Sequence, residues 1–411
     1  MAHSSASSTD PLSTDLLAPF RVDVPAEDIA DLHDRLRRTR WSVPLERSGE
    51  VWERGVPQDH LRALVEQWLD FDWRSYEAGL NQLDHYTTTV AGQHLHVVHV
   101  PSLVADATPL LLCHGWPSTF VEFRQVLGPL TEPEAYGGRR EDAFHVVIPS
   151  LPGVGWTGPA IPEAGNLFAV ANAYAEVMTR LGHHRFMVQG GDVGSGIAGM
   201  LGVVAADRLV GVHMNGPGPY PFGPPVDTAG LDGPDLARAA RFAQFQRDGM
   251  AYLHQQVSRP ATIGHALTDS PVAQLAWIVE KFHEWSDPAR TAPDQAVPLD
   301  DLLATVSIYW YTRSGASSAA FLSDAMTSYA ALAAGGQDAG AGGASEWTPP
   351  APPPTGVSVY PTDFTIRRDV DPGHTFVQWS EHRRGGHFPA MEAPDLYVED
   401  LRDLLGRTRA S

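Results

Sequence analysis

The run Gly190-Gly191-Asp192-Val193-Gly194-Ser195 follows an apolar stretch, Phe186-Met187-Val188-Gln189, and precedes a small-residue segment from Ile197 to Val204. The pattern predicts a strand, a tight turn and a helix, with a carboxylate at the apex. Glycines flanking such an apex tolerate the sharp turn and lift its side chain above the sheet. The identity of that side chain selects the chemistry. A serine there would attack a carbonyl, whereas a carboxylate suits displacement at a saturated carbon and leaves an ester on the protein. Asp192 therefore points to alkyl transfer followed by hydrolysis.

The chain has 411 residues, which is long for one domain, and one α/β core carrying an inserted cap and an N-terminal extension is the economical reading. Lysine plus arginine number 29 against 49 aspartates and glutamates, a net charge of -20 that argues against a nucleic-acid or anionic-membrane surface. The one cysteine, Cys113, lies in the apolar run Leu110-Leu111-Leu112-Cys113, so disulfides within the chain and zinc-cysteine clusters are excluded. Met1 to Thr14 is rich in serine and alanine without a basic start or an apolar core, so no export signal is expected. No segment reaches the roughly 18 uninterrupted apolar residues of a membrane span. The expectation is a soluble, cytoplasmic protein.

Along the chain, residues 1–17 are expected to be disordered and 18–105 to form an N-terminal region. In it, Pro25 to Arg40 and Pro57 to Leu69 read as helices, and Tyr86 to Val90 with His94 to Val100 read as a hairpin around Ala91-Gly92. Residues 106–216 read as the first part of the core. Short apolar strands at Leu110 to Cys113, Phe144 to Ile148, Phe186 to Gln189 and Leu209 to Met214 alternate there with helices at Thr119 to Leu127, Leu167 to Leu181 and Ile197 to Ala206, the order of a parallel sheet. Residues 217–332 read as a helical cap, including long helices at Leu236 to Gln256, Pro271 to Trp285 and Leu299 to Tyr311. An Ala/Gly/Pro tract at 333–356 is expected to be a mobile link. Residues 357–411 complete the core with strands at Val357 to Tyr360 and Phe376 to Trp379 and a helix at Ala393 to Leu405.

A nucleophilic carboxylate needs a base for water, a carboxylate to orient that base, and donors for the oxyanion of ester hydrolysis. His387, in Gly385-Gly386-His387-Phe388-Pro389 between the last strand and the last helix, is the candidate base. Asp363, after the strand that ends in Tyr360, is the candidate orienting acid, with Asp369 and Glu381 as rivals. The oxyanion donors are expected to be the main-chain amides of Val193 and of Trp116 in His114-Gly115-Trp116-Pro117, since Pro117 has no amide proton. His114 reads as a structural hydrogen-bonding residue.

Several segments together resemble the epoxide hydrolases of the microsomal type, which are α/β-hydrolases with an added N-terminal region. In the first half these are Phe71-Asp72-Trp73-Arg74, Tyr86 to Val100, His114-Gly115-Trp116-Pro117, Pro149-Ser150-Leu151-Pro152-Gly153 and Gly190-Gly191-Asp192. In the second half they are Arg259 to Gly264, Asp269-Ser270-Pro271, Tyr309-Trp310, Tyr360-Pro361-Thr362-Asp363 and Gly385-Gly386-His387-Phe388. The resemblance runs from Phe20 to Leu405. It implies a mostly parallel central sheet, a helical cap inserted after the sixth core strand, and an N-terminal extension packed on both.

By the same resemblance Asp192 is nucleophile, His387 general base and Asp363 orienting acid, although the family often has glutamate at the last position. The family also opens the epoxide with two cap tyrosines that donate to the departing oxygen. Tyr252 matches the first, but Leu322 stands where the second is expected, so either Tyr252 works alone or Tyr311 or Tyr329 reaches in, or the reaction differs. Leu322 and Tyr311 are the candidate substrate-binding residues, and Tyr309 and Trp310 read as cap core. Val193 replaces the family's usual tryptophan, leaving a smaller site wall. The implied partner is a small hydrophobic epoxide, with no cofactor, metal, nucleic acid or membrane, and with a homodimer as an option. A dehalogenase-like hydrolase, an epoxide-opening cyclase and a non-catalytic small-molecule binder stay open as alternatives.

Overall fold

The computed structural model describes residues 17–44, 52–338 and 351–410. Nine strands form one sheet: β1 (Ala18–Phe20), β2 (Asp84–Val90), β3 (Gln93–Val100), β4 (Thr108–Cys113), β5 (Phe144–Pro149), β6 (Phe186–Gly191), β7 (Leu209–Asn215), β8 (Thr355–Val359) and β9 (Gln378–Glu381). Their order is β1-β2-β3-β5-β4-β6-β7-β8-β9. Pairings among β1, β2, β3 and β5 are antiparallel, whereas those linking β5, β4, β6, β7, β8 and β9 are parallel. This is an α/β-hydrolase fold with a mixed, mostly parallel sheet.

The parallel strands read as unbroken apolar runs because helices cover both of their faces. Along β4 the side chains alternate between two cores: Leu111 and Cys113 join Val170, Tyr174 and Ile197, while Leu110 and Leu112 join Phe123, Leu130 and Leu401. Each of the four β4 residues is fully buried. Burying such a side chain stabilises the fold by about 1.5–3 kcal/mol, so the central strands hold the position of everything attached to their ends.

Counted from the β2–β3 hairpin, β7 is the sixth core strand, and the cap leaves the sheet there. Its main helices span Gly233–Gln244, Ala251–Ser258, Pro260–Asp269, Pro271–Trp285, Leu299–Tyr311 and Ser314–Asp338. Helices Ala26–Arg37, Gln58–Asp70 and Trp73–Leu80 make the N-terminal extension. Asp301 of the cap joins all three parts: its carboxylate is 1% exposed and accepts from the Tyr76 hydroxyl of the extension (2.7 Å) and the Arg124 guanidinium of the core (2.9 Å). Trp68 adds a second tie from extension to cap, its indole N–H donating to Ser307 Oγ at 2.8 Å.

The structure departs from the sequence reading in four places. The long helix expected from Leu236 to Gln256 is broken into Gly233–Gln244, a π turn at Phe245–Gly249 and Ala251–Ser258. Gly249 packs under the Phe245 ring, and glycine weakens a helix interior, so the break falls there. The last cap helix runs past residue 332 to Asp338, as its alanine-rich composition favours, and β8 starts at Thr355 rather than at 357. β9 is shifted to Gln378–Glu381, because the Asp371 carboxylate captures the Thr375 and Phe376 amides and holds that stretch as a loop. Residues 1–16 of the expected disordered start and 339–350 of the expected link fall outside the described residues. Among the described residues no helix is long and apolar enough to cross a membrane.

The turn after β6 requires its glycines. A Cβ on Gly194 would lie 2.0 Å from the Cys113 carbonyl oxygen, whereas one on Gly199, farther along the same helix, meets nothing within 4 Å. Gly194→Ala is expected to lower unfolding free energy by about 3 kcal/mol or more, and Gly199→Ala to raise it by up to about 1 kcal/mol. Urea denaturation of the two variants checks the contrast.

Candidate active site

Asp192 sits between β6 and the helix Val193–Val204 with φ 53° and ψ −127°, a backbone conformation that costs a non-glycine residue about 1–3 kcal/mol. The strain turns its side chain toward the loop after β4. There Gly115 passes so close that a Cβ would lie 2.4 Å from Asp192 Cβ, and the Trp116 amide donates to Asp192 Oδ1 at 2.9 Å. The Val193 amide also donates to this carboxylate, at the positive end of its helix. His114 anchors the loop: its Nδ1 meets the Gly115 carbonyl at 3.0 Å and its Nε2 accepts from the Leu151 amide at 3.1 Å. Burial holds its pKa down to about 4, so it is neutral.

His387 faces the same carboxylate, with Nε2 3.6 Å from Asp192 Oδ2, an ion-pair distance longer than a good hydrogen bond. Both side chains keep about a third of their surface open, 31% and 28%, so a small molecule can reach between them. Burial acts to lower the imidazole pKa, but Asp192, then Glu122 and Asp363, outweigh it and hold His387 above its ordinary value. For Asp192, burial pushes upward and His387 with the two amides pulls harder, leaving the carboxyl below the usual range.

Asp363 lies in the loop after β8. Its Oδ1 accepts from the Thr365 amide (2.9 Å) and hydroxyl (2.8 Å), an Asx-type turn that fixes the carboxylate, while Oδ2 packs over Gly216. Burial raises its pKa despite these bonds, and its charge acts on His387. The rival Glu381 pairs instead with Arg238 (2.7 Å), and Asp369 with Arg368 (3.1 Å).

The Trp285 carbonyl joins base loop, acid loop and cap. It accepts from the His387 amide (2.8 Å) and from the Thr362 hydroxyl (3.0 Å). Its indole lies 4.9 Å from the His387 ring and 5.4 Å from Tyr252. Tyr252 is 9% exposed and stacks on Trp116, with centroids 5.1 Å apart and planes 9° from parallel, so the proposed donor sits directly over the loop that holds Asp192. Burial, then Asp192 and Glu284, push its phenol well above its ordinary pKa, which keeps it protonated.

The other phenols need correction. Tyr311 packs edge-on against Trp73 at 5.0 Å and feels Arg74, Glu77 and Asp28, so it faces the N-terminal extension rather than Asp192. Tyr329 is 40% exposed and rests on Tyr220. Tyr309, read from the sequence as cap core, is indeed buried, yet its phenol lies in the field of Asp192 and donates to the Ser118 carbonyl at 3.3 Å. Leu322 is 4% exposed and shares a core cluster with Tyr252. Sequence reasoning missed Trp285, Glu122 and Lys281. Glu122 is a buried carboxyl raised to about 7, chiefly by burial, and its only sequence signal was a charge inside Phe120-Val121-Glu122-Phe123.

Comparison with known proteins fits this arrangement. The family profile "Epoxide hydrolase N terminus" matches residues 17–123, and "alpha/beta hydrolase fold" matches 108–276. A Stigmatella aurantiaca protein provisionally named an epoxide hydrolase is 38% identical over 400 residues, covering 96% of this chain and 86% of that one. Epoxide hydrolase 1 of Sus scrofa is 30% identical over 419 residues, 95% of this chain and 88% of that protein. The chain belongs to the epoxide hydrolase family. The solved structure of the Aspergillus niger epoxide hydrolase superposes with a TM-score of 0.79 at 30% identity, covering 96% of this chain and 97% of that one. Membership makes the chain a hydrolase acting on epoxides.

The mutual charging of Asp192 and His387 has a measurable sign. Asp192→Asn removes the strongest influence raising the imidazole and leaves burial, which lowers it, opposed by Glu122 and Asp363 alone. The His387 pKa is expected to lie above its ordinary value in the parent protein and to fall in the variant, read from imidazole NMR shifts across pH.

Proposed function

We propose that this chain converts a small hydrophobic epoxide to a vicinal diol through a covalent ester on Asp192. The observation that carries the reading is one carboxylate held by the Trp116 and Val193 amides with an imidazole 3.6 Å from its other oxygen. Asp192 attacks an oxirane carbon; the C–O bond breaks with its electron pair going to oxygen, and Tyr252 supplies the proton. In the ester, the carbonyl oxygen occupies the place that the two amides already serve, so they stabilise the oxyanion when water attacks. His387, steadied by Asp363, removes that water's proton.

The ester also times the base. Free Asp192 favours the charged His387, whereas the neutral ester withdraws the largest of the influences that raise it, leaves Glu122 and Asp363 against burial, and so shifts the balance toward the neutral imidazole that hydrolysis needs. With leucine at 322, Tyr252 is the one phenol assigned to the departing oxygen.

Two measurements test the mechanism. In a single turnover in ¹⁸O-labelled water the label is expected in Asp192 and not in the diol, and His387→Gln is expected to trap an adduct seen by intact-protein mass spectrometry across an epoxide panel. Label found directly in the diol removes the covalent step. Separately, Tyr252→Phe is expected to slow ester formation about 10²–10³-fold, the effect of losing a sole donor to a developing oxyanion. Stopped-flow tryptophan fluorescence measures that step.

A further inference from the structure

Of the 29 basic residues in this chain, 28 are arginine and one is lysine, Lys281. That side chain is 3% exposed, on the cap helix Pro271–Trp285. Its ammonium is paired with Glu280 at 2.7 Å and with Glu284 at 2.6 Å, both on its own helix. It also stands over the Tyr252 ring, 4.7 Å from the centroid, and 5.9 Å from that of Trp285. Burying an ammonium in a cap is costly, and two neighbouring glutamates satisfy it without explaining why it is aimed at a phenol.

We propose that Lys281 is a positioning residue for epoxide opening that acts through Tyr252, polarising the phenol from beneath so that one tyrosine can do the work of two. This rests on the epoxide-opening reading above and adds to it the device that compensates for Leu322. The charges facing the phenol otherwise oppose proton donation: Asp192 from the elbow and Glu284 from the cap helix both disfavour the phenolate. A cation over the ring draws on its π electrons and favours phenolate character. As the oxirane C–O bond breaks, the electron pair goes to oxygen, the Tyr252 proton follows it, and the charge left on the phenolate faces Lys281. Solvent then returns the proton to the phenol.

A compact ammonium suits this place better than a planar guanidinium, which would spread across the ring and engage the flanking carboxylates in a fork. That requirement accounts for lysine at the one position where arginine, used at every other basic position, does not stand.

Two variants with opposite expected signs test the assignment. Lys281→Met is expected to slow ester formation about tenfold and Glu284→Gln to accelerate it several-fold, with ester hydrolysis unchanged in both, since the oxyanion amides and His387 are untouched. Site-specific 2,3,5-trifluorotyrosine at position 252 gives a readout independent of turnover: its pKa, followed by ¹⁹F NMR, is expected to rise in Lys281→Met and fall in Glu284→Gln. Movement in the same direction in both variants, or in neither, overturns the proposal. Opposite phenol shifts in a protein that opens no epoxide would leave the coupling standing and remove the epoxide reading instead. Should Lys281→Met fail to fold, Lys281→Gln, which keeps a polar side chain beside Glu280 and Glu284, is read in the same way, and an unchanged phenol titration there overturns the proposal.

Discussion

The approach of the Val193–Val204 helix to the end of β4 is the constraint on which the rest depends. Gly194 lies against the Cys113 carbonyl and Gly190 against the Gly194 carbonyl so closely that neither position has room for a methyl group. This contact forces Asp192 into its positive-φ conformation and brings its carboxylate to the Trp116 amide. The buried β4 and β6 runs hold the contact in register, so the strain at one residue is sustained by the packing of two strands.

From that placement follows an electrostatic arrangement with two states. Asp192 and His387 each stabilise the other's charge, in a site where burial alone would favour neutrality for both. In the proposed reaction, alkylation cancels the carboxylate and so withdraws the largest influence favouring the charged imidazole. On that proposal one bond-forming event consumes the nucleophile and shifts the base toward its neutral form, with no movement of either group required. Asp363, held by Thr365 and packed over Gly216, is positioned alike in both states, and its influence on His387 favours the charged imidazole.

Legibility in the sequence tracks how local each signal is. Asp192 could be read because its glycines and the flanking strand and helix are adjacent in the chain, and His387 because Gly385-Gly386 marks its loop. The phenols were harder. Tyr309 and Tyr311 lie two positions apart on one helix, about 200° apart around its axis, and nothing local says which faces the sheet. The structure turns Tyr309 inward and Tyr311 toward Trp73. Trp285 acts through its carbonyl, a group every residue carries, so no side-chain pattern could announce it. The break at Gly249 shows the converse case: the apolar periodicity of 236–256 suggested one helix, and a glycine with a packed phenylalanine divided it.

In the proposed reaction Trp116 couples the two charges that epoxide opening and ester hydrolysis create. Its amide donates to Asp192 Oδ1, where the proposed oxyanion forms, and its ring carries Tyr252, the proposed donor to the departing oxygen. Lys281 and Trp285 extend the stack into the cap, and the Trp285 carbonyl returns the connection to the His387 loop. A displacement of the cap therefore cannot alter the phenol alone. It shifts the ring resting on Trp116 and the loop carrying the proposed base together, so in the proposed reaction the opening of one bond and the hydrolysis of the next share a single docking geometry.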